Sequence, residues 1–265
     1  MFSLRLFSQP GFSSANADRI LIIAPHPDDE SLACAGVIKR AVNNCDKVKI
    51  IIIFDGAAYG NARARRKETI KAMKLLGVPP RDITFLGFPD GKGLAMWQSR
   101  NTVFAGEKYH FALEPRTAFN WPMLVSDLKK VLLSCNPTRI YSPSEHDEHG
   151  DHQATAKAVK IALSEPGCLL HGKELYSYLI HWENHSNTWP GDDVSWSLTL
   201  QKSGVKSPTH AIGNTPAEVL LPDGFTPDHK RHVINKYSSQ LGGKDLVLAK
   251  FAKSSEIFWP ECIER

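Results

Sequence analysis

Two short apolar runs in the first sixty residues have the composition of fully buried β-strands. Residues 48–54 are nearly all β-branched or aromatic, and residues 20–24 are apolar throughout. Strands of this kind are covered on both faces, which is typical of a parallel sheet. Parallel neighbours need a crossover connection, usually a helix, so these runs restrict the chain to α/β architectures.

The pattern up to residue 165 alternates strands with helices. Further strands are predicted there at residues 82–86 and 139–142, and helices at residues 30–43, 63–76, 122–135 and 151–163. One more strand is predicted beyond this region, at residues 176–180. This order predicts an α/β, Rossmann-like fold with a mostly parallel sheet and helices on both faces. Irregular segments are predicted at residues 87–121 and 182–216, and a strand at 218–221 precedes a helix at 227–241. We expect a single domain over residues 1–265, with a core at 18–180 and a C-terminal elaboration at 181–265.

Composition excludes several classes of protein. The net charge of +4 is mild, and the basic residues are scattered apart from residues 63–67, so we expect no nucleic-acid partner. Five cysteines at irregular spacing fit neither a disulfide framework nor a cysteine zinc site, which favours a reducing, cytoplasmic compartment. We expect no secretory signal and no transmembrane segment, because the longest apolar run is far too short. Peripheral membrane association and an oligomer stay open.

Two clusters of histidine and carboxylate residues carry the chemistry. The first is His26-Pro27-Asp28-Asp29-Glu30, directly after the strand at residues 20–24, and the second spans residues 146–152. Adjacent carboxylates repel one another unless a cation neutralises them, and a metal ion is the simplest cation that accepts both imidazole and carboxylate ligands. The two clusters together indicate one metal-dependent hydrolytic centre.

Sheet topology explains how segments more than 100 residues apart meet. In open parallel sheets, ligands bind beyond the carboxyl ends of the strands, where the strand order reverses. In a Rossmann-like order the first strand lies between the second and the fourth, so both clusters open on the same edge. A dinucleotide site would need a glycine-rich turn after the first strand, whereas residues 25–29 read Pro-His-Pro-Asp-Asp.

The motifs resemble those of a known family. Residues 24–30 resemble the A-H-P-D-D-E motif of the PIG-L/LmbE-like zinc-dependent N-acetylglucosaminyl deacetylases, and residues 149–152 resemble their H-x-D-H motif. Arg65 and Glu68 match a helix that this family carries after its second strand. Lys230 with residues 237–240 resembles its K…(H/Y)-x-S-Q element. The resemblance covers residues 20–165 well and 216–260 loosely.

The resemblance implies a set of roles for individual residues. The implied metal ligands are His26, Asp29 and His152, and the ion is Zn²⁺, with Fe²⁺ or Mn²⁺ also suited to such ligands. The implied catalytic residues are Asp28 as general base, His149 as oxyanion stabiliser and acid, and Asp151 as its orienting carboxylate. We further expect Asp147 or Asp151 to keep His149 protonated near neutral pH.

The implied substrate is an N-acetylated amino sugar or glycoconjugate, which would release acetate, and the setting that the resemblance implies is surface-glycan biosynthesis. Candidate substrate-binding residues are Arg65, Asp55 and His181. For Arg65 the alternative is a surface pair with Glu68, and Glu30 is expected only to support the start of the following helix. A metal-dependent hydratase and a non-catalytic glycan-binding protein remain as alternative functions.

Overall fold

The computed structural model describes residues 5–6, 17–59, 61–106, 116–168, 173–182, 189–201, 208, 212–241 and 245–261. The strands among these residues are β1 (Arg5–Leu6), β2 (Arg19–Ala24), β3 (Lys47–Phe54), β4 (Ile83–Phe88), β5 (Phe104–Ala105), β6 (Ala118–Phe119), β7 (Arg139–Pro143), β8 (Glu174–Tyr178), β9 (Ala217–Leu220) and β10 (Ser255–Glu261). The α-helices are α1 (Asp29–Asn43), α2 (Ala62–Leu76), α3 (Gly93–Gln98), α4 (Trp121–Cys135), α5 (Gly150–Ser164), α6 (Trp196–Gln201), α7 (Pro227–Ile234) and α8 (Asp245–Ala249).

Eight of these strands form one sheet in the order β1-β9-β10-β8-β7-β2-β3-β4. The strands from β8 to β4 in this order are all parallel, and β2 lies between β3 and β7. The predicted sheet order around the first buried strand is therefore confirmed. The carboxyl ends of β2 and β7 lie side by side, so the segments that follow these two strands are neighbours.

Helices cover both faces of the sheet, as predicted. One apolar core packs α1, α2 and α7 against one face and includes Leu32, Met73 and Val233. The other core packs α3, α4 and α5 against the opposite face and includes Leu128 and Val159. Each fully buried side chain of this size contributes about 1.5–3 kcal/mol. The two layers therefore hold β2 and β7 rigidly beneath the site.

Local sequence signals set the ends of the helices. The Asn61 side chain accepts the backbone N–H of Ala64 at the start of α2, and Asn120 does the same for Met123 in α4. Gly77 ends α2 with φ 96°, a left-handed conformation that glycine adopts without strain. The predicted stop at Gly77 is confirmed.

The structure corrects three predictions of irregular or helical segments. Residues 87–121, predicted as one long loop, contain α3 and the antiparallel pair of β5 with β6, while part of that range lies outside the described residues. Likewise residues 182–216 include α6, and part of them lies outside the described residues. The helix predicted at 227–241 ends at Ile234 and is followed by a 3₁₀ turn, Ser238–Gln240.

The end of the described chain enters the same sheet. Strand β10 runs antiparallel between β8 and β9, a position that the sequence analysis did not predict. The predicted division into a core and a C-terminal elaboration stays a prediction. Among the described residues, no helix is both long and apolar enough to span a bilayer.

Candidate metal centre

The two predicted clusters meet at the carboxyl ends of β2 and β7. His26 follows β2, while His149 and His152 lie at the start of α5, which follows β7. The ring centroid of His26 lies 4.9 Å from that of His149 and 5.4 Å from that of His152. The structure therefore brings together the segments that topology predicted to be neighbours.

One carboxylate oxygen lies between two imidazoles. Oδ2 of Asp29 is 3.2 Å from Nε2 of His152 and 3.5 Å from Nδ1 of His26. All three residues are buried, and His152 is 0% exposed. Both ring nitrogens of His152 lack a hydrogen bond of acceptable geometry, although each lies within 3.2 Å of a carboxylate. Two imidazole nitrogens converging on one carboxylate oxygen form a donor set that fits a divalent metal ion.

Further carboxylates contact the outward nitrogens of the two imidazoles. Nε2 of His26 lies 3.0 Å from Oδ2 of Asp151 and 3.1 Å from Oδ1 of Asp90, and Nδ1 of His152 lies 3.2 Å from Oδ2 of Asp147. Such partners fix the orientation of a ligating imidazole and raise its basicity. Sequence reasoning missed Asp90, because it lies in a segment predicted as irregular.

The backbone holds Asp151 and Asp147 in these positions. Oxygens of Asp151 accept N–H groups from Gly91 at 2.8 Å and Gly93 at 2.7 Å. Asp147 accepts the N–H groups of His149, Ile180 and His181. Both carboxylates are thus fixed by chain segments that converge on the site, and they cannot reorient freely.

The carboxylates control the protonation of the two buried imidazoles. Burial alone would lower the pKa of His152, but Asp147 and Asp29 raise it to about 10. For His26 the same balance of burial against Asp151, Asp29 and Asp90 raises the pKa well above its usual value. In the metal-free protein both imidazoles therefore carry a proton that a metal would have to displace.

Asp28 occupies a strained position beside the same cluster. Its φ is 136°, which is uncommon for a residue with a side chain. Its Oδ2 lies 3.1 Å from Nη2 of Arg65. Burial raises the pKa of Asp28 to about 7, although Arg65 opposes this rise. A buried carboxyl group that titrates near neutral pH is suited to general base catalysis.

The structure gives Arg65 partners inside the protein, while substrate contact by Arg65 stays a prediction. Arg65 is 4% exposed, and its guanidinium donates to the backbone oxygens of Pro27 at 2.7 Å and Gly56 at 3.3 Å, besides Asp28. Arg65 does not pair with Glu68, whose carboxylate accepts hydrogen bonds from Ser238 and Ser239. Arg65 therefore holds residues 27 and 28 in position through these hydrogen bonds.

The structure also corrects two expectations about His149. The carboxylate of Asp151 contacts His26, and it is the backbone N–H of Asp151 that donates to Nδ1 of His149 at 3.2 Å. Burial, followed by the neighbouring His152 and His26, lowers the pKa of His149. The neutral ring with its proton on Nε2 is therefore favoured, and the expectation that a nearby carboxylate keeps His149 protonated is wrong.

His181 and Asp55 lie at different depths in this region. The half-buried ring of His181 is 5.1 Å from that of His149 and 4.9 Å from that of His152. Burial, followed by the nearby His152, lowers the pKa of His181 to about 4, so its ring is neutral. Asp55 is buried and accepts the N–H groups of Ala57 and Asp90, which supports the loop after β4. Substrate contact by either residue stays a prediction.

Glu30 does more than support the start of α1. It is 0% exposed, its Oε2 accepts the N–H of Asp28 at 3.1 Å, and its Oε1 accepts the hydroxyl of Tyr237. Burial raises the pKa of Glu30 to about 8, against the hydrogen bond from Tyr237 that lowers it. The expectation of a role confined to the helix start is therefore wrong.

The fold and the cluster define a class, that of α/β proteins with a histidine and carboxylate centre at the edge of a parallel sheet. A family model described as PIG-L, GlcNAc-PI de-N-acetylase, matches residues 21–163, which is more than half of the chain and includes both clusters. The chain therefore belongs to the PIG-L family, and the predicted resemblance is confirmed.

Individual proteins are similar to this chain in sequence or in fold. The N-acetylglucosaminyl-phosphatidylinositol de-N-acetylase of Bos taurus is 28% identical over 75 residues, 27% of this chain and 30% of the relative. The match thus spans less than a third of that relative. The conserved protein TT1542 from Thermus thermophilus has a TM-score of 0.60 at 21% identity, with 94% of this chain and 96% of that chain covered.

A second solved structure shares the fold. The N,N'-diacetylchitobiose deacetylase from Pyrococcus horikoshii has a TM-score of 0.58 at 18% identity, with 93% of this chain and 84% of that chain covered. The similarity extends over nearly the whole chain in both structural comparisons. The predicted α/β fold class is confirmed.

Proposed function

We propose that this chain is a divalent-metal-dependent hydrolase that removes the N-acetyl group from an amino sugar or glycoconjugate and releases acetate. The observation that carries the proposal is the convergence of His26 and His152 on one oxygen of Asp29, beside the buried carboxyl group of Asp28. Membership of a family described as a de-N-acetylase supports this reaction class.

His26, Asp29 and His152 are the residues that would hold the metal. A divalent ion in such a site lowers the pKa of a water molecule and polarises a carbonyl oxygen. We propose Zn²⁺ as the native ion, because two imidazoles and one carboxylate with open positions are typical of catalytic zinc. Fe²⁺ and Mn²⁺ accept the same ligands, so metal analysis of the purified protein is needed.

Asp28 would act as the general base. Its pKa of about 7 leaves a substantial fraction ionised near neutral pH, so its carboxylate takes a proton from the attacking water. The C–N bond of the amide then breaks, and the amine nitrogen receives the proton that Asp28 accepted. Arg65 holds the carboxylate at 3.1 Å and keeps its position fixed during both transfers.

His149 would stabilise the negative charge that develops on the acetamide oxygen. Nδ1 of His149 accepts the N–H of Asp151, so Nε2 carries the proton and can donate a hydrogen bond. The lowered pKa of His149 favours this neutral donor over a charged acid. Loss of one such donor commonly slows catalysis about 100- to 1000-fold.

The sugar class and the cellular setting are also proposals. Relatives whose descriptions name N-acetylglucosaminyl and diacetylchitobiose substrates support an N-acetylated hexosamine, and we propose glycan biosynthesis as its setting. Cys34, Cys45, Cys135 and Cys168 are free, which supports the proposed cytoplasmic location.

Acetate release from a panel of N-acetylhexosamine conjugates tests the proposal. The purified protein, the chelated protein and the chelated protein with Zn²⁺ restored are compared on each substrate. We expect acetate from at least one conjugate, its loss after chelation and its recovery with the ion. Absence of acetate from every conjugate by the zinc-loaded protein would contradict the proposed reaction.

A pair of aspartate variants separates chemistry from binding of the metal. Asp28→Asn should abolish most acetate release while retaining the metal, because the amide cannot accept the proton from water. Asp127→Asn is the matched control, since Asp127 of α4 is also buried but pairs with Arg116. Full activity of Asp28→Asn would rule out this residue as the base.

A further inference from the structure

We propose that Tyr237 is a positioning residue for Asp28 and acts through Glu30. The inference rests on the proposed function, since Asp28 is the base of that reaction. Tyr237 lies on the segment after α7, more than 200 residues from Asp28 in sequence. Among the described residues, the hydrogen bonds of the Tyr237 hydroxyl are to Glu30 and Ser31, and not to the proposed metal ligands.

A continuous chain of hydrogen bonds joins the two residues. The hydroxyl of Tyr237 donates to Oε1 of Glu30 and lies 2.9 Å from Oγ of Ser31. The other oxygen of Glu30, Oε2, accepts the backbone N–H of Asp28 at 3.1 Å. Tyr237, Glu30 and Ser31 are all 0% exposed, so water does not compete for these bonds.

Asp28 needs support of this kind because of its backbone. Its φ of 136° and ψ of −33° lie outside the regions that residues with side chains usually adopt. Such a conformation persists only where the surrounding structure imposes it. The bond from the Asp28 N–H to Glu30 acts directly on this residue, and Tyr237 fixes the carboxylate that accepts it.

The segment that carries Tyr237 is anchored independently of the site. Ser238 and Ser239 donate hydrogen bonds to Glu68 of α2. Before them, Lys230 of α7 forms a buried ion pair with Glu256 of β10 at 2.7 Å. Two other elements, α2 and β10, therefore hold the segment that carries Tyr237 in place.

Tyr237→Phe tests the inference, because it removes only the hydroxyl. We expect kcat for acetate release to fall about 10- to 100-fold, as for loss of other supporting bonds at metal sites, with KM and metal content almost unchanged. Tyr178→Phe is the matched control: Tyr178 is equally buried, and its hydroxyl donates to the backbone oxygen of Ile23 at 2.8 Å. This control should lose stability without the fall in kcat.

Glu30→Leu provides a second variant that does not depend on the folding of the first. Leucine is of similar size and has no group that can bond to Tyr237 or to the N–H of Asp28, so it should lower kcat by a similar factor. The double variant should be no slower than the slower single variant, because both changes break one chain of bonds. Additive losses, an unchanged kcat in Tyr237→Phe, or an equal loss in Tyr178→Phe would overturn the inference.

A crystal structure separates this inference from the proposed function. Asp28 should leave its positive φ, or its carboxylate should move away from Arg65, in the Tyr237→Phe protein. If the wild-type protein releases no acetate, the proposed reaction fails, while a displaced Asp28 in the variant still supports the positioning role. An Asp28 unchanged in the variant crystal overturns that role whatever the activity.

Discussion

Replacement of Arg65 by methionine should shift the acidic limb of the pH–rate profile to higher pH. Arg65 is the cation nearest to Asp28, at 3.1 Å, and the two side chains are only 5% and 11% exposed. A charge in such contact lowers the pKa of a carboxyl group by about 1–3 units. Its removal should therefore raise the pKa of Asp28 above its value of about 7.

The size of the effect follows from the fraction of Asp28 that stays ionised. With a pKa of about 7, half of the carboxyl groups are ionised at neutral pH. A rise of about one unit leaves roughly a tenth ionised and a rise of about two units roughly a hundredth, so the rate at neutral pH should fall about 5- to 50-fold. At high pH the rate should recover.

The assay is kcat/KM for acetate release, measured between about pH 5 and pH 10. Arg65→Lys keeps the positive charge and should shift the limb less than Arg65→Met. Arg63→Met is the control, because Arg63 lies on the same helix with its side chain exposed. An acidic limb that coincides in Arg65→Met and wild type, with circular dichroism unchanged, would refute the electrostatic role of Arg65.

Three further predictions concern stability and metal binding. Lys230→Met leaves the carboxylate of Glu256 buried without its cation, so urea unfolding should show a loss of about 3–5 kcal/mol. Lys129→Met, which breaks a more exposed pair with Glu165, should lose less than about 1 kcal/mol, and similar losses in both would contradict the argument. Gly93→Ala places a Cβ 2.7 Å from Oδ1 of Asp151 and should therefore weaken metal binding in a chelator competition. An affinity equal to that of the wild type would count against the packing explanation. In the metal-free protein the pKa of His152 is raised from 6.5 to about 10, because Asp147 and Asp29 outweigh burial. The stabilisation from protonated His152 is therefore complete below about pH 6.5 and is lost as the pH rises towards 10. Urea unfolding across this range should show the decline in stability, and His152→Gln should flatten it.

The sequence predicted the centre of the fold because its signals there are local. Strands β2 and β3 are apolar along their whole buried length, and Gly77 marks the end of α2. Strand β10 was missed because its sequence contains Pro260 and charged residues, and its place depends on pairing with β8 and β9. Pairing between distant segments leaves little trace in a local pattern.

The sequence predicted which residues form the candidate site, but not which of their side chains contact one another. The family resemblance implied that His26, Asp29 and His152 share one metal ion, and the structure brings these three residues together. Which carboxylate faces which imidazole depends on side-chain directions that sequence spacing does not fix. Asp151 consequently contacts His26 rather than His149. Asp90 enters the site only because α3 and its preceding turn fold back onto α5.

The antiparallel strand β10 has a consequence for how the chain matures on the ribosome. Glu256 of this strand accepts the N–H groups of Gly36 and Val37 inside α1, and β10 separates β8 from β9 within the sheet. Gly36 is synthesised 220 residues before Glu256, so over that interval a nascent chain lacks the carboxylate that accepts these two N–H groups. The sheet and α1 therefore reach their native contacts only after β10 has been synthesised.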